Sequence, residues 1–383
     1  MKIIVIDNHY PYEGYNYGDV FAHIRVKEYL NYYPDIIVCS NFENKINVRK
    51  TLSYEGVQIR WCIDHLDIIE IINEVNPDLI LIHFASSEII NKIIFSKRNC
   101  NYIIWVHGGE AISNFRYHYE LNFKSFKSIK NYLIGSIIDF KKLYLFRKLI
   151  KLSNKSENIH FVYVSDWMKK VNNFDCFIST KNYSIIPNPI NVDMFKFMEK
   201  SEENLKNVLI IRPFRYKKYA TDLMTEVILK LKEIGILNFF TFTIVSADSK
   251  DSKLYKEFKT SINFTFIDRF LNHKEIKELH DKCGIYFSLS RMDAQGVSMC
   301  EAASSGLLVV TSNNTAIPEF FTSETSILTN NKPSAIVPFF EEIIKHPEKF
   351  IKLSKRGALH IKVKAGISEV IEKEINLIKK FLD

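Results

Sequence analysis

The sequence lacks the features that mark several common protein classes. No run of about 18 apolar residues occurs, so no segment is predicted to cross a membrane as a helix. The six cysteines are scattered, with neither a C-x-x-C pair nor a Cys/His cluster at metal-ligand spacing, which predicts reduced thiols in a cytoplasmic protein without a zinc site. Neither G-x-G-x-x-G nor a Walker A motif is present, which removes the main support for a NAD-dependent dehydrogenase or a P-loop kinase.

A secretory signal is not expected at the start of the chain either. Met1–Asp7 is a short apolar run that ends in an acid, without the longer apolar region and small-residue cleavage site of a signal peptide. This run predicts a first β-strand. The chain has 383 residues, of which 46% are apolar, and this is enough for the cores of two domains of ordinary size.

Short β-like runs alternate with longer helical patterns along the chain. The predicted strands are Ile3–Ile6, Ile36–Val38, Leu79–Ile82, Ile103–Val106, Phe161–Val164, Val208–Ile211, Phe240–Val245, Phe264–Ile267, Ile285–Leu289 and Leu307–Val310. The predicted helices include Asp67–Glu74, Phe123–Lys151, Thr221–Lys232 and Lys274–Lys282. This rhythm is typical of βαβ units and predicts an α/β fold with mostly parallel sheets.

A turn signal at residues 187–189 and a polar linker at 198–206 predict a domain seam. We expect a Rossmann-like N-terminal domain over residues 1–190 and a second Rossmann-like domain over 191–367. A terminal helix over 368–383 is expected to pack back toward the first domain. Ligands of such sheets bind beyond the carboxyl ends of the strands, so the two domains are expected to face a central cleft.

Residues 115–155 carry much of the positive charge. They contain ten basic and two acidic residues, an excess that equals the net charge of +8 of the whole chain. Aromatic side chains are interleaved with the basic ones, and this leaves two interpretations open. The segment binds an anionic membrane surface, or it forms amphipathic helices whose aromatic residues face the core while the lysines face water. No nucleic-acid partner is expected, because no known nucleic-acid-binding motif is present.

Residues 287–310 have the pattern of a strand, a polar loop, a helix and a second strand. The first strand is predicted to end near Ser290, and Gly296 lies where the loop meets the helix. Gly306 follows the helix and is predicted to end it. A glycine at a junction between loop and helix lets the backbone approach a ligand closely.

The start of this predicted helix is suited to a phosphate group. The N–H groups of Gly296, Val297 and Ser298 would point toward an anion there. Glu301 lies one turn further along the helix, where a carboxylate can accept hydrogen bonds from two ribose hydroxyls. Asp293 lies in the loop and is expected to face a sugar ring.

Two other predicted strands end in residues that can contact a ligand. Arg212 ends one of them, and Lys217 and Lys218 follow in the next loop. Fixed cations stabilise the negative charge that builds up when a nucleoside diphosphate departs. His107 ends the other strand, before the tight turn 108–110, and a histidine there can bond a sugar hydroxyl. A solvated basic loop and a histidine satisfied by local backbone are the alternatives.

Together these motifs resemble the signature of glycosyltransferase family 4, which consists of retaining enzymes with the B-type fold of two Rossmann-like domains. The family has two glutamates separated by seven residues, and this chain has Asp293 and Glu301 at that spacing. The resemblance implies that Glu301 binds the ribose of the donor. It also implies that Arg212 and one of Lys217 and Lys218 hold the donor diphosphate, with Lys218 favoured.

The resemblance also assigns residues to the sugar and to the acceptor. The family has a comparable His-Gly step in its first domain, which implies that His107, with Asp293, orients the transferred sugar. Glu110 and Gly18 are expected on the acceptor side. Residues 9–19 stand where the family often has a Gly-Gly loop, and their aromatic side chains either stack on an acceptor sugar or pack internally.

The matches fall over residues 103–319, and the first hundred residues match poorly. No Asp-x-Asp pair occurs, so neither a metal-bound diphosphate nor any cofactor besides a UDP- or GDP-linked donor is expected. The resemblance implies transfer of a hexose-type sugar to a glycan or lipid-linked acceptor. We expect this reaction in the assembly of a surface polysaccharide such as capsule or lipopolysaccharide, in the cytoplasm or on the inner face of the plasma membrane. A hydrolysing nucleotide-sugar epimerase of the same fold and a non-catalytic partner subunit are the alternatives.

Overall fold

The computed structural model describes residues 1–15, 18–41, 48–97 and 99–382. It contains two compact units, the first formed by Met1–Pro189 together with the segment from Val370 onward, and the second by Ile190–Glu369. Each unit is built on a sheet whose strands are largely parallel, with helices in the connections. The predicted fold class, α/β with two Rossmann-like domains, is confirmed.

The first unit has an eight-stranded sheet with the strand order β3-β4-β2-β1-β5-β6-β7-β8. The strands are β1 (Ile3–Ile6), β2 (Ile36–Ser40), β3 (Lys50–Tyr54), β4 (Val57–Trp61), β5 (Leu79–His83), β6 (Tyr102–Val106), β7 (Ile159–Tyr163) and β8 (Tyr183–Ile185). All neighbouring pairs are parallel except β3 and β4. The α-helices of the first 189 residues are α1 (Val20–Tyr29), α2 (His65–Val75), α3 (Phe126–Ser153) and α4 (Asp166–Asp175).

The second unit has a six-stranded sheet, entirely parallel, with the order β11-β10-β9-β12-β13-β14. The strands are β9 (Asn207–Ile211), β10 (Thr241–Val245), β11 (Phe264–Ile267), β12 (Ile285–Ser288), β13 (Leu308–Ser312) and β14 (Ile327–Thr329). The α-helices are α5 (Glu202–Leu205), α6 (Thr221–Glu233), α7 (Lys253–Phe258), α8 (His273–Lys282), α9 (Val297–Ser304), α10 (Pro333–Lys345) and α11 (Pro347–Ala365). The last helix, α12 (Ile367–Leu382), continues into the first unit.

The central strands of the first sheet are buried, whereas its edge strands β3 and β8 are largely exposed. All four residues of β1 and all five of β5 and β6 are buried, as expected for the central strands of a parallel sheet. Side-chain caps fix where several helices begin. The Asp64 carboxylate accepts the N–H groups of Leu66 and Asp67 at the start of α2, and Asn272 and Glu275 form a capping box at the start of α8.

A buried ion pair attaches α12 to the sheet of the first unit. The Glu374 carboxylate, fully buried, accepts hydrogen bonds from Arg25 Nε at 2.9 Å, Tyr29 Oη at 2.5 Å and Trp105 Nε1 at 3.1 Å. Arg25 also donates to the Asn188 side chain at 3.1 Å. A buried charge is stable only when its partners are satisfied in this way.

The hairpin of β3 and β4 is absent from the sequence-based predictions. Its turn consists of Glu55 and Gly56, with φ angles of 46° and 84°, which is the left-handed geometry of a tight hairpin turn. The dipeptide Glu-Gly is a weaker signal of such a turn than Asn-Gly or Asp-Gly. Among the described residues, no helix is long and apolar enough to span a bilayer.

Candidate functional site

Polar residues of the second unit gather where its parallel strands end. Arg212 directly follows β9, and the loop 289–296 follows β12. β9 and β12 are adjacent and parallel, so these two segments lie at the same edge of the sheet. Ligands of α/β sheets bind at this edge.

Arg212 is buried at the sheet edge with part of its guanidinium still unsatisfied. Its Nε donates to Ser288 Oγ at 2.7 Å, and its Nη2 lies 3.9 Å from Asp293 Oδ2. Among the described residues, the buried Nη2 atom has no hydrogen-bond partner. Since buried polar atoms are usually paired, this N–H group is suited to donate to an anionic ligand.

Asp293 shapes the loop that leads into α9. Its Oδ1 accepts the backbone N–H groups of Gln295 at 3.2 Å and of Gly296 at 2.8 Å. One carboxylate oxygen therefore holds the loop, while the other faces Arg212. The sequence alone placed this residue in the loop but gave no sign of its bonds to the backbone.

Gly296 begins α9 in a conformation that disfavours other residues. Its φ is +80°, and a Cβ atom built on it would lie 2.3 Å from Met299 Cε. Val297 and Ser298 are the first helical residues, so their N–H groups have no acceptor within the helix. These two N–H groups lie at the positive end of the helix dipole, where an anion is stabilised.

The two candidate lysines lie in a short 3₁₀ turn, Lys217–Tyr219, and differ in their surroundings. Lys217 is exposed, whereas Lys218 is half-buried and its Nζ lies 4.7 Å from the centre of the Tyr219 ring. The Arg212 guanidinium lies 5.0 Å from the centre of the same ring. Tyr219 thus holds Arg212 and Lys218 beside one another through cation–π contacts.

The turn is fastened to the loop after β12. The backbone N–H of Arg291 donates to the carbonyl oxygen of Lys218 at 2.7 Å. The guanidinium of Arg291 donates to both oxygens of the Asp222 carboxylate, at 2.8 and 2.7 Å. Residues 217–222 and 290–293 therefore form one connected structure.

The carboxyl group of Glu301 has a strongly raised pKa. Its side chain is 14% exposed, and burial raises its pKa to about 8, with the positive charge of Arg212 acting in the opposite direction. His273 Nε2 lies 4.0 Å from Glu301 Oε1. Burial lowers the pKa of His273. His273 was not singled out in the sequence, because a histidine at the start of a polar helix gives no signal of its own.

A pocket of about 260 Å³ lies beside Arg212. It is formed at the carboxyl ends of β9 and β10 and by the segment after β11. Val245, Leu271 and Ile276 contribute apolar surface, and Arg215, Asp248 and Arg269 contribute charged groups. Its size and mixed lining suit a flat polar ring such as a nucleobase. The sequence motifs did not reveal it, because its residues come from three separate connections.

In the first unit, His107 directly follows β6 and forms a pair with His83 at the end of β5. His83 Nδ1 lies 3.0 Å from His107 Nε2, and the rings of Phe21 and Phe84 pack on His107 at centroid distances of 4.8 and 4.5 Å. Burial lowers the pKa of His107 well below its usual value, and the nearby charge of Arg25 acts in the same direction. Burial likewise lowers the pKa of His83, so both rings are neutral near pH 7.

Glu110 and Gly18, which were expected on the acceptor side, both contact neighbouring backbone groups. Glu110 Oε1 accepts the N–H of His107 at 2.5 Å and Oε2 accepts that of Gly108 at 2.9 Å. Burial raises the pKa of Glu110, and these N–H groups oppose the shift. A Cβ atom built on Gly18 would lie 2.0 Å from the His9 carbonyl oxygen, so only glycine fits there.

The aromatic residues of the loop 9–19 pack at least in part against the protein. Tyr10 is buried and its hydroxyl lies 2.9 Å from His23 Nδ1. Tyr12 contacts Trp61 edge to face at 4.7 Å between ring centres. Asn16 and Tyr17 lie outside the described residues.

No group of three or more His, Cys, Asp and Glu side chains that could hold a metal ion occurs in the described part of the chain. The candidate binding features of the second unit are two cations, a helix start, two acids and an adjoining pocket. This combination is suited to a nucleoside diphosphate.

A comparison with known protein families finds one match, which lies within the second unit. Residues 195–360 match the family described as glycosyl transferases, group 1. No curated protein sequence matches the chain significantly.

Solved structures share the fold over nearly the whole chain. The Anabaena protein HepE in complex with UDP and glucose has a TM-score of 0.70 at 10% identity, covering 99% of this chain and 100% of that one. Sucrose-phosphate synthase of Thermosynechococcus elongatus has a TM-score of 0.72 at 11% identity and covers 99% of both chains. A glycosyltransferase of Rickettsia africae has a TM-score of 0.70 at 15% identity, covering 100% of this chain and 98% of that one. The family match and the fold support a glycosyltransferase of the GT-B type.

Proposed function

We propose that the protein is a retaining glycosyltransferase of family 4 that transfers a hexose-type sugar from a UDP- or GDP-linked donor to a glycan or lipid-linked acceptor in surface polysaccharide assembly. The observation that carries the proposal is the buried guanidinium of Arg212. It directly follows β9 and lies beside Asp293. It has an unsatisfied N–H group and lies over the ring that also contacts Lys218.

The diphosphate of the donor would bind to Arg212, Lys218 and the first N–H groups of α9. Departure of the nucleoside diphosphate places negative charge on the leaving oxygen. Preorganised cations and N–H dipoles stabilise that charge more in the transition state than in the ground state, and this lowers the barrier. No metal ion enters the proposal, because side chains and the helix start supply the positive charge.

The nucleoside would be held by Glu301 and by the adjoining pocket. A carboxyl group one helical turn beyond the phosphate-binding end is placed to bond the two ribose hydroxyls, and the 260 Å³ pocket would take the base. The UDP and glucose bound to HepE support a nucleotide-sugar donor for this fold.

Asp293 and His107 would orient the transferred sugar. A neutral His107 can exchange hydrogen bonds with sugar hydroxyls, and the fixed Asp293 carboxylate can contact the ring or its developing positive charge. No nucleophilic side chain is invoked, since the leaving phosphate can accept the proton of the attacking hydroxyl on the same face of the sugar.

A donor panel tests the proposal. Thermal shift and nucleotide release are measured with UDP- and GDP-sugars for the wild type, Glu301→Ala and Glu226→Ala, the last being an exposed control on α6. We expect one donor class to stabilise the wild type and the control but not Glu301→Ala. No shift with any nucleotide or nucleotide-sugar would overturn the proposal.

The stereochemistry of the product tests retention. NMR of the product formed with the active donor should show the anomeric configuration of the donor, and an inverted product would contradict the retaining assignment. Release of free sugar without dependence on an acceptor would favour a hydrolysing enzyme, and nucleotide binding without any turnover would favour a non-catalytic subunit.

A further inference from the structure

The outward face of α3 carries an unusual row of exposed apolar side chains. Phe126 is 81% exposed, Ile137 73% and Phe140 75%. Leu133 and Tyr144 are exposed on the same helix. These five residues are defined here as the α3 stripe.

The spacing of the stripe places its members on one side of the helix. Along the chain, each member follows the one before it by seven, four, three and four positions in turn. These steps return to the same face of a helix. At about 1.5 Å per residue the stripe is roughly 27 Å long. A contiguous exposed apolar surface of this kind marks an interaction site more often than a solvated surface.

The opposite face of α3 is already packed, so the stripe does not face the core. Leu145, Phe146 and Leu149 are buried in the first unit. Asp139 accepts the Asn114 N–H at 2.8 Å, and Lys142 Nζ lies 2.6 Å from the Asp139 carboxylate. These contacts fix the rotation of the helix about its axis. The interpretation in which all the aromatic residues of this segment face the core is therefore wrong for the stripe.

Seven lysines surround the stripe and are exposed to solvent. Lys130, Lys141 and Lys148 lie along its flank in the helical projection. Lys124, Lys127, Lys151 and Lys155 lie toward the two ends of the helix. The other three basic residues of this segment are engaged internally: Arg116 pairs with Asp175, Lys142 with Asp139, and Arg147 donates to the Cys176 carbonyl. The exposed surface thus combines apolar side chains with positive charge.

We propose that the α3 stripe lies in the headgroup region of an anionic lipid bilayer, with the flanking lysines against the lipid phosphates. Aromatic and aliphatic side chains partition into this region, and each lysine near an anionic surface adds electrostatic attraction. A second copy of the chain is a poorer occupant, because an identical lysine-rich surface would repel it. This surface is separate from the residues proposed for catalysis.

Flotation with lipid vesicles tests the proposal. The full-length protein is mixed with vesicles of phosphatidylcholine alone or with added phosphatidylglycerol, and the bound fraction is measured at low and high salt. We expect binding only to the anionic vesicles and at least about a tenfold loss when salt screens the lysines. If the same amount of protein is found in the floating fraction with and without anionic vesicles, the proposal is overturned.

Variants separate the apolar and charged contributions. Phe126→Ser, Ile137→Ser and Phe140→Ser combined should reduce binding about tenfold or more, as should Lys130→Glu, Lys141→Glu and Lys148→Glu combined. The matched control combines Ile262→Ser, Leu359→Ser and Val363→Ser, which replace exposed apolar side chains of the second unit, and it should bind like the wild type. Unchanged binding of the stripe variant would contradict the proposal.

Two further measurements show whether a loss of vesicle binding has another cause, such as misfolding, a damaged nucleotide site or a change of oligomeric state. The stripe variant should retain the melting temperature and the nucleotide-induced thermal shift of the wild type, because its substitutions are exposed and lie outside the second unit. Light scattering reports the oligomeric state. A wild-type dimer that becomes monomeric in the stripe variant, without any vesicle binding, would assign the stripe to a second copy and overturn the membrane proposal.

Discussion

The Nδ1 atom of His83 lies 3.0 Å from the Nε2 atom of His107, and both rings are buried. One nitrogen of this pair must carry the proton that the other accepts. His83 therefore restricts the tautomer and the orientation of His107, and it is a positioning residue if His107 contacts the transferred sugar.

We predict that His83→Ala lowers turnover more than donor affinity. The substitution leaves His107 Nε2 without its partner in a buried site, at a cost of about 1–3 kcal/mol in the free energy of unfolding. Urea unfolding, kcat and the dissociation constant of the donor check this, with the exposed His346→Ala as a control. A uniform loss of donor binding would argue against a positioning role.

The raised pKa of Glu301 predicts a pH-dependent stability. Between about pH 4.5, the ordinary pKa of a glutamate, and pH 8, the folded protein keeps the proton that the unfolded chain has lost. The free energy of unfolding attributable to this group therefore falls as pH rises through that window, by at most about 1.4 kcal/mol per pH unit. The difference between wild type and Glu301→Gln in unfolding experiments should show this slope. A pH-independent difference would contradict it.

Tyr219 is predicted to set the affinity for the diphosphate. Tyr219→Leu removes the ring that contacts both Arg212 and Lys218 and should weaken binding of UDP or GDP by about threefold to tenfold, since a cation–π contact is worth about 1 kcal/mol. Tyr219→Phe should bind like the wild type. Tyr216→Leu, which alters a neighbouring exposed ring, should have the smaller effect in the same calorimetric titration.

Substitutions of Asp293 should separate its two contacts. Asp293→Asn keeps an oxygen for the N–H groups of the loop but loses the charge beside Arg212, so we expect a nearly unchanged melting temperature and a lower turnover. Asp293→Ala loses both and should also cost about 1 kcal/mol of stability. If Asp293→Asn and the wild type have equal turnover, the negative charge of Asp293 does not contribute to catalysis.

Glu374 is predicted to be essential for the stability of the first unit. Glu374→Ala leaves Arg25 as an uncompensated buried charge and should lower the free energy of unfolding by about 3–5 kcal/mol. The exposed Glu372→Ala on the same helix is the matched control. Equal midpoints of urea unfolding for the two variants would contradict this prediction.

The strand predictions succeeded where burial imposes an unbroken apolar run. Ile3–Ile6 matches β1 residue for residue, because a central parallel strand is apolar on both faces. Phe264–Ile267 matches β11 equally well, although β11 is an edge strand and only partly buried. The hairpin of β3 and β4 was not predicted, since β3 is the edge strand and both strands are partly polar. The predicted helix Phe123–Lys151 corresponds to α3, but its periodicity does not reveal which apolar side chains remain exposed.

Local sequence by itself determined the alternation of strands and helices, and it placed charged residues after the strands β9 and β12. These features depend on near neighbours in the chain. Only the tertiary structure decided that Tyr219 contacts both Arg212 and Lys218, that His83 pairs with His107, and that Glu374 neutralises Arg25. Such contacts join residues whose separation in sequence carries no information, and their energies depend on burial, which is a property of the packed fold.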